Sequence, residues 1–218
     1  MIRRFDACDE GDLEQGLLAA TAAAKRGELV VVPTESAYGV ATDAFRSDGL
    51  AALRLAKSRD RNLPVPVLVG YPTTADGLVA TLSPAARLLI EAFWPGPLTI
   101  VGNSQPSLMW EVGAEGDASV SIRMPLHPVA LELARAVGPL ALTGANLAGA
   151  DLPRTAAEAE AMLGDSVGVY LDAGPSLTLE TSTIVDITHN VPHLLREGAI
   201  TVEQIREVCP ELTGVVHD

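Results

Sequence analysis

Apolar residues first recur along the chain with helical spacing and then merge into a solid run. Leu13, Leu17, Ala20 and Ala24 stand three or four residues apart, which puts them on one face of a helix predicted over Asp12 to Arg26. Gly27 supplies its stop, and Leu29-Val30-Val31-Val32 reads as a strand leading into Pro33. A second helix is predicted from Ser47 or Asp48 to Lys57, followed after a polar turn by a strand over Val65 to Val69. Ser83-Pro84 makes a cap and first turn for a helix ending around Phe93, and Trp94-Pro95-Gly96-Pro97 must then turn. Leu98 to Val101 and Val120 to Ile122 read as strands, and His127-Pro128 opens a helix that ends by Gly138. Thr155 with Glu158 resembles a capping box, Val167 to Leu171 and Thr183 to Ile187 read as strands, and Thr201 with Gln204 marks a final capped helix. This alternation, with no low-complexity linker and no clear repeat, predicts one mixed α/β domain over residues 1–218. Periodicity leaves the strand order open.

Charge changes the picture more than composition does. At 48% hydrophobic and 20% charged the 218 residues are ordinary globular material. The formal net charge of -13, from 28 acidic and 15 basic side chains, disfavours long-range attraction to nucleic acid or anionic membrane. A stand-alone RNA-binding module is therefore not expected; RNA would matter downstream or through a partner. Met1-Ile2-Arg3-Arg4-Phe5-Asp6 lacks the apolar segment of a signal peptide, and no apolar run reaches membrane-spanning length. Cys8 and Cys209 form no CxxC pair and read as ordinary thiols of a reducing compartment, so the expected location is the cytoplasm. His189, His193 and His217 have no zinc-ligand spacing, and no protein metal site is expected.

Candidate chemistry lies at strand ends and loops. Pro33-Thr34-Glu35-Ser36-Ala37-Tyr38-Gly39-Val40 offers hydroxyls at Thr34 and Ser36, an acceptor at Glu35 and close backbone approach at Gly39; it reads as a structural turn or as a ligand loop. Lys57, Arg59 and Arg61 are cations at alternate positions after a helix, suited to polyphosphate or to a solvated helix terminus. No GxxxxGK[ST] or supported GxGxxG is present, so any nucleotide pocket must be dispersed. Ser119, Ser121 and Arg123 share one strand face, a polar face for a ligand or for a surface ion pair. Thr143-Gly144-Ala145-Asn146-Leu147-Ala148-Gly149 leaves room for a ligand, with Asn146 able to hold either the ligand or its own loop. Trp94 and Trp110 read as packing residues and His127 as a cap.

The order of these segments resembles the YrdC/Sua5 family. Pro33-Thr34-Glu35-Ser36-Ala37-Tyr38-Gly39 is similar to that family's proline–threonine–acid–threonine–x–tyrosine–glycine signature. Lys57-x-Arg59 with Pro64, and then Phe93-Trp94-Pro95-Gly96-Pro97-Leu98-Thr99, follow at the family's intervals. Ser119 through Pro125, Asn146, Gly149, Ser182-Thr183 and Arg196-Glu197-Gly198 complete the order, so the resemblance covers approximately residues 23–199.

The resemblance implies an open, twisted, mixed α/β sheet with flanking helices and a large concave cavity, in the short single-domain form. It also implies synthesis of threonylcarbamoyl-AMP and pyrophosphate from L-threonine, bicarbonate or CO2, and ATP with Mg2+. Separate machinery would then transfer the threonylcarbamoyl group to tRNA adenosine; direct tRNA contact by this chain is left open. By resemblance Ser36, Arg123 and Ser182 bind the amino acid, while Lys57, Arg59, Ser119, Asn146 and Arg196 bind the nucleotide. Lys57 and Arg59 would also act in catalysis, and Thr34 and Tyr38 would shape the cavity. Four positions depart from the family pattern besides the mild change at Ser36: Gly144 and Ala148 lack hydroxyls, and Leu63 and Leu68 replace common asparagine and histidine. Those losses keep two alternatives in view, a diverged enzyme for another small amine and a non-enzymatic nucleotide-binding regulator.

Overall fold

The structure is a computed structural model that describes residues 2–58, 63–113 and 118–214. Its layering is visible in three consecutive valines. Val31 joins one apolar cluster with Tyr38, Val40 and Leu50, whereas Val30 and Val32 join a second with Ala20, Ala23 and Leu133. Successive side chains of a strand point to opposite faces, so an all-apolar run suits a strand covered on both sides.

In chain order the elements are β1 (Arg3–Asp6), α1 (Glu10–Lys25), β2 (Val30–Val32), β3 (Gly39–Asp43), α2 (Ser47–Ala56), β4 (Val67–Leu68) and α3 (Ala75–Leu78). Next come α4 (Pro84–Phe93), β5 (Leu98–Asn103), β6 (Ser119–Arg123), α5 (Pro128–Val137) and β7 (Leu140–Gly144). The last are α6 (Ala156–Leu163), β8 (Val169–Asp172), β9 (Thr183–Asp186), β10 (His193–Arg196) and α7 (Val202–Val208). Among the described residues the strands form one sheet in the order β1-β8-β2-β3-β7-β4-β6-β5-β9-β10. It is mixed: β1–β8, β2–β8, β4–β6 and β5–β9 are parallel pairs, and the remaining neighbours are antiparallel.

Helices α1 and α5 cover one face, through Ala20, Ala24, Val129 and Leu133, while α2, α4, α6 and α7 cover the other through Leu50, Leu89, Ala159 and Ile205. On the α1–α5 side the apolar surface runs across Leu140 and Leu68 and then stops. Ile122 and Ile100 face the opposite cluster, so alternation puts Ser119, Ser121 and Arg123 of β6 and Thr99 of β5 on the side that α1 and α5 leave. The sheet thus turns from a buried floor into a polar one at β6.

Local signals explain most boundaries. Helix α1 begins before Asp12 because the Asp9 carboxylate accepts the Asp12 amide at 2.9 Å, and it ends where Gly27 takes φ +80°. Ser83 caps α4 through the Ala86 amide at 3.2 Å. Thr201 and Gln204 form a full capping box at α7, with bonds of 2.9 and 3.3 Å. At α6 Thr155 accepts from the Glu158 amide, but the Glu158 carboxylate accepts from Arg154 N, so the reciprocal half of the box is displaced by one residue. Strand β4 is shorter than the predicted Val65–Val69 because Pro64 and Pro66 bring no amide to a ladder. Val65 and Val69 still bond outward, to the Val112 and Arg123 carbonyls. Strands β1 and β3 and the single turn α3 were not anticipated from periodicity.

Candidate ligand site

Glu35 and Gly96, far from it in sequence, meet at Arg123, at the C-terminal end of β6. Its guanidinium forms an ion pair with Glu35, 88 residues away, and its Nε donates to the Gly96 carbonyl at 3.1 Å. Both side chains are mostly buried, 12% and 16% exposed. Burial, and after it the like charge of Arg196, push the Arg123 guanidinium down to about 10, which leaves it cationic at neutral pH. Arg196, itself lowered by burial, donates to the Ser182 carbonyl at 2.7 and 3.2 Å and lies 3.4 Å from the Ser182 hydroxyl. That hydroxyl shares a 2.8 Å hydrogen bond with Thr99. Gly198 is what lets the 196–198 turn lie on residues 181–182, since a Cβ there would meet the Thr181 carbonyl at 2.2 Å. Thr183 locks the crossing by donating to Ile200 O at 2.5 Å and accepting from Gly198 N at 2.9 Å.

The β2–β3 loop supplies the opposite wall. Thr34 donates its hydroxyl to Ala37 O at 2.6 Å, so in the 3.3 Å contact between Thr34 and Ser36 the serine is the donor. Ser36, next to Glu35 in the chain, keeps acceptor capacity. Fully buried Tyr38 ties this loop to the one after β8, donating to Gly174 O at 2.6 Å and accepting from Ala173 N at 2.9 Å. Burial pushes its phenol up to about 12, so it remains a neutral structural tether. Thr34, Glu35 and Tyr38 line a cavity of about 410 Å³ whose other walls include Leu126, His127 and residues 173–177. His127 accepts from the Val129 amide at 3.3 Å as the cap of α5, and burial lowers its pKa.

A second cluster lies next to the first through the Ala145 amide, which donates to Tyr38 O at 2.9 Å. Lys57, only 5% exposed, donates its ammonium to the Gly144 carbonyl, to Asn146 O at 2.6 Å and to Asn146 Oδ1 at 3.0 Å. Asn146 donates in turn to Ala150 O at 2.6 Å, so both ends of its amide hold its own loop. Ser119 sits at the other end of β6 from Arg123, opposite Asn103. Arg59 lies outside the described residues. The structure therefore bonds Arg196 to Ser182, pairs Arg123 with Glu35 where the charge of Arg196 is felt, leaves Ser36 bonded to Thr34 within the β2–β3 loop, and joins Lys57 with Asn146 in a neighbouring cluster. Among the described residues no group of three or more His, Cys, Asp or Glu is placed to hold a metal ion.

Comparison with known proteins fixes the lineage. The Sua5–YciO–YrdC family model, whose description is telomere recombination, matches residues 22–198. The chain belongs to the YrdC/Sua5 family. A Mycobacterium tuberculosis protein provisionally named threonylcarbamoyl-AMP synthase is 49% identical over 208 residues, 95% of each chain. The threonylcarbamoyl-AMP synthase of Bacillus subtilis is 34% identical over 97% of this chain and 61% of its own length. The crystal structure of Pyrococcus abyssi Sua5 complexed with L-threonine superposes with a TM-score of 0.88 at 27% identity, covering 99% of this chain and 62% of that one. The mixed sheet with flanking helices is the YrdC-like fold.

The departures from the YrdC/Sua5 pattern now have physical addresses. Leu68 is buried under the α5 layer at the β4 position paired with Arg123, and Leu63 is 47% exposed. At Gly144 a Cβ would stand 2.6 Å from Leu152 Cδ2 and 2.9 Å from Asn146 Oδ1, so the space of the absent serine is already occupied. The sequence offers Glu35 as an acceptor in the candidate ligand loop without a role, and does not point to Thr99 or residues 173–177 as site components. The acid at position 35 within the signature was the one available signal.

Proposed function

We propose that this YrdC/Sua5 chain is a threonylcarbamoyl-AMP synthase, an ATP-dependent nucleotidyltransferase serving tRNA N6-threonylcarbamoyladenosine modification. The observation that carries the reading is Arg123: a buried, still-cationic guanidinium paired with Glu35 and close enough to Arg196, which holds Ser182, to feel its charge. A carboxylate is the natural ligand of such a fork, and hydroxyl partners suit a polar amino-acid side chain. The name of the Bacillus relative and the threonine in the Pyrococcus complex support the choice of substrate.

Lys57 and Arg59 would carry the triphosphate, with Ser119, Asn146 and Arg196 orienting the nucleotide. Lys57 donates its ammonium to the Gly144 carbonyl and to both oxygens of Asn146, which brings its charge to that loop. A phosphate could then draw on that charge as pyrophosphate departs. The amine of threonine takes up CO2 as a carbamate, and a carbamate oxygen displaces pyrophosphate from the α-phosphate of ATP. Positioning supplies most of the acceleration, without a covalent enzyme intermediate. Mg2+ comes with ATP as part of the substrate. One domain would perform the reaction in the cytoplasm, and other proteins would deliver the product to tRNA, consistent with the net charge of -13.

The test is pyrophosphate release with each component omitted in turn. Release that needs ATP, L-threonine and bicarbonate together is expected. Release indifferent to threonine would move the reading to another small amine, and ATP binding with no release would move it to a regulator.

A further inference from the structure

Gly144 is a glycine for reasons of space, not of backbone conformation. Its φ lies outside the left-handed region, so an L side chain can adopt its backbone. A Cβ there would nevertheless stand 2.6 Å from Leu152 Cδ2 and 2.9 Å from Asn146 Oδ1, both tighter than a real Cβ tolerates. The second of those atoms accepts from the Lys57 ammonium at 3.0 Å. The room beside Gly144 is thus where the Asn146 carboxamide lies when it holds Lys57. Around this contact residues 146–149 form a short strap against the end of α2. The strap starts from Ala145, whose amide is fixed to Tyr38 O at 2.9 Å, and it turns at Gly149 with φ +81°. Between them the Ala148 amide donates to the Lys57 carbonyl at 3.3 Å, and the Asn146 carboxamide donates to Ala150 O at 2.6 Å. Residues 147–150 are exposed, whereas Lys57 is only 5% exposed. An ammonium has three donors, and Gly144 O, Asn146 O and Asn146 Oδ1 can take all three. Of these oxygens only Oδ1 can leave by side-chain rotation, without moving the main chain.

We propose that Gly144 is a positioning residue: by leaving room for Asn146 Oδ1 it lets the strap latch Lys57 in the empty protein, and a nucleotide phosphate reaches the ammonium by opening that latch. The assignment rests on the nucleotide reading of Lys57 above and deepens it. The apparent affinity for a nucleotide is then the intrinsic affinity scaled by the fraction of protein whose latch is open. A side chain at position 144 crowds the closed arrangement, raises that fraction and tightens binding, the reverse of what damage to a site does. Gly144 touches no substrate in this scheme; it acts through Asn146 on Lys57.

The chain has two lysines, and exposed Lys25 on α1 is an internal standard for Lys57. Trace acetylation of the ligand-free protein, with each lysine followed by mass spectrometry, reads the latch without reference to any activity. In wild type Lys57 is expected to react more slowly than Lys25. Gly144→Ala is expected to raise the Lys57 rate about 3- to 10-fold with Lys25 unchanged, the range of one net hydrogen bond. Leu152→Ala removes the other close contact and leaves Asn146 in place, so its Lys57 is expected to react as in wild type. In the double variant Gly144→Ala/Leu152→Ala the packing is relieved and fast Lys57 labelling is expected to persist, which separates an open latch from lost stability. Calorimetric binding of ATP with Mg2+, without threonine or bicarbonate, is expected to tighten about 3- to 10-fold in both chains that carry Gly144→Ala. Lys57 that reacts as fast as Lys25 in wild type, labelling unchanged by Gly144→Ala, or a return to the wild-type rate in the double variant would each overturn the proposal. Faster Lys57 labelling with ATP affinity unchanged would sink the nucleotide reading of Lys57 and leave the latch standing.

Discussion

The Arg123 network and the Lys57 loop are neighbours, yet they are held in different ways. Around Arg123 the partners come from separated stretches: Glu35 and the Gly96 carbonyl bond it, and Arg196, anchored on Ser182 by the 181–198 crossing, adds a like charge nearby. Around Lys57 the loop satisfies itself: Gly144 and Asn146 take the ammonium, and Asn146 also holds Ala150. The first region keeps an unsatisfied carboxylate oxygen; the second has its named polar groups in use. In the second arrangement an incoming phosphate would have to exchange internal hydrogen bonds. On the proposed function the amino-acid side would be the preorganised one and the nucleotide side would require a rearrangement.

The largest expected effect comes from breaking the preorganised side. Arg123→Ala leaves the Glu35 carboxylate mostly buried without its cation, a loss expected to cost about 3–5 kcal/mol in denaturant unfolding. Its threonine KM is expected to rise far more than its ATP KM; equal changes in both would contradict the assignment. On the other side, Lys57→Ala is expected to lower the adenylate-forming rate by about 10²–10³-fold, as for removal of a charge-stabilising donor. A normal rate would place the phosphates elsewhere.

Gly144→Ser sharpens the comparison at the self-satisfied loop. Restoring the family hydroxyl overpacks Leu152 and Asn146 and is expected to destabilise by about 1–3 kcal/mol. Leu152→Ala in the same chain is expected to recover part of that loss, seen as non-additive unfolding energies. The smallest effect concerns the tether behind both regions. Burial alone would raise the Asp172 carboxyl, but the Arg4 hydrogen bond and the Gly174 amide outweigh it and hold the pKa below the ordinary value. Its stabilisation is therefore complete above the unfolded carboxyl value of about 3.9 and is lost as pH falls through the lower folded value. With Arg4 42% exposed, Asp172→Asn is expected to cost about 1 kcal/mol at pH 7 and to flatten that acid limb of the stability curve.

Helices were legible where side chains cap them: Ser83-Pro84 and Thr201 with Gln204 mark boundaries that local hydrogen bonds enforce. Strand β1 was not, because Arg3–Asp6 is largely exposed and shows no apolar alternation; its place comes from pairing with β8. Strand β3 begins at Gly39 inside the signature loop, where a Cβ would meet Leu142 at 2.8 Å, a contact visible only once β7 is alongside. The same limit hid the partner of Glu35. Its residue type says only that it can accept; its partner 88 residues away and its orphan oxygen are properties of the assembled sheet.

The most direct measurement is mass-resolved product analysis of folded wild-type protein given ATP, Mg2+, bicarbonate and several amino acids in parallel. A threonine- and bicarbonate-dependent threonylcarbamoyl-AMP, formed despite Gly144 and Ala148, is the predicted result. Threonine bound without any carbamoyl-adenylate, or an adenylate formed equally from unrelated amino acids, would contradict it.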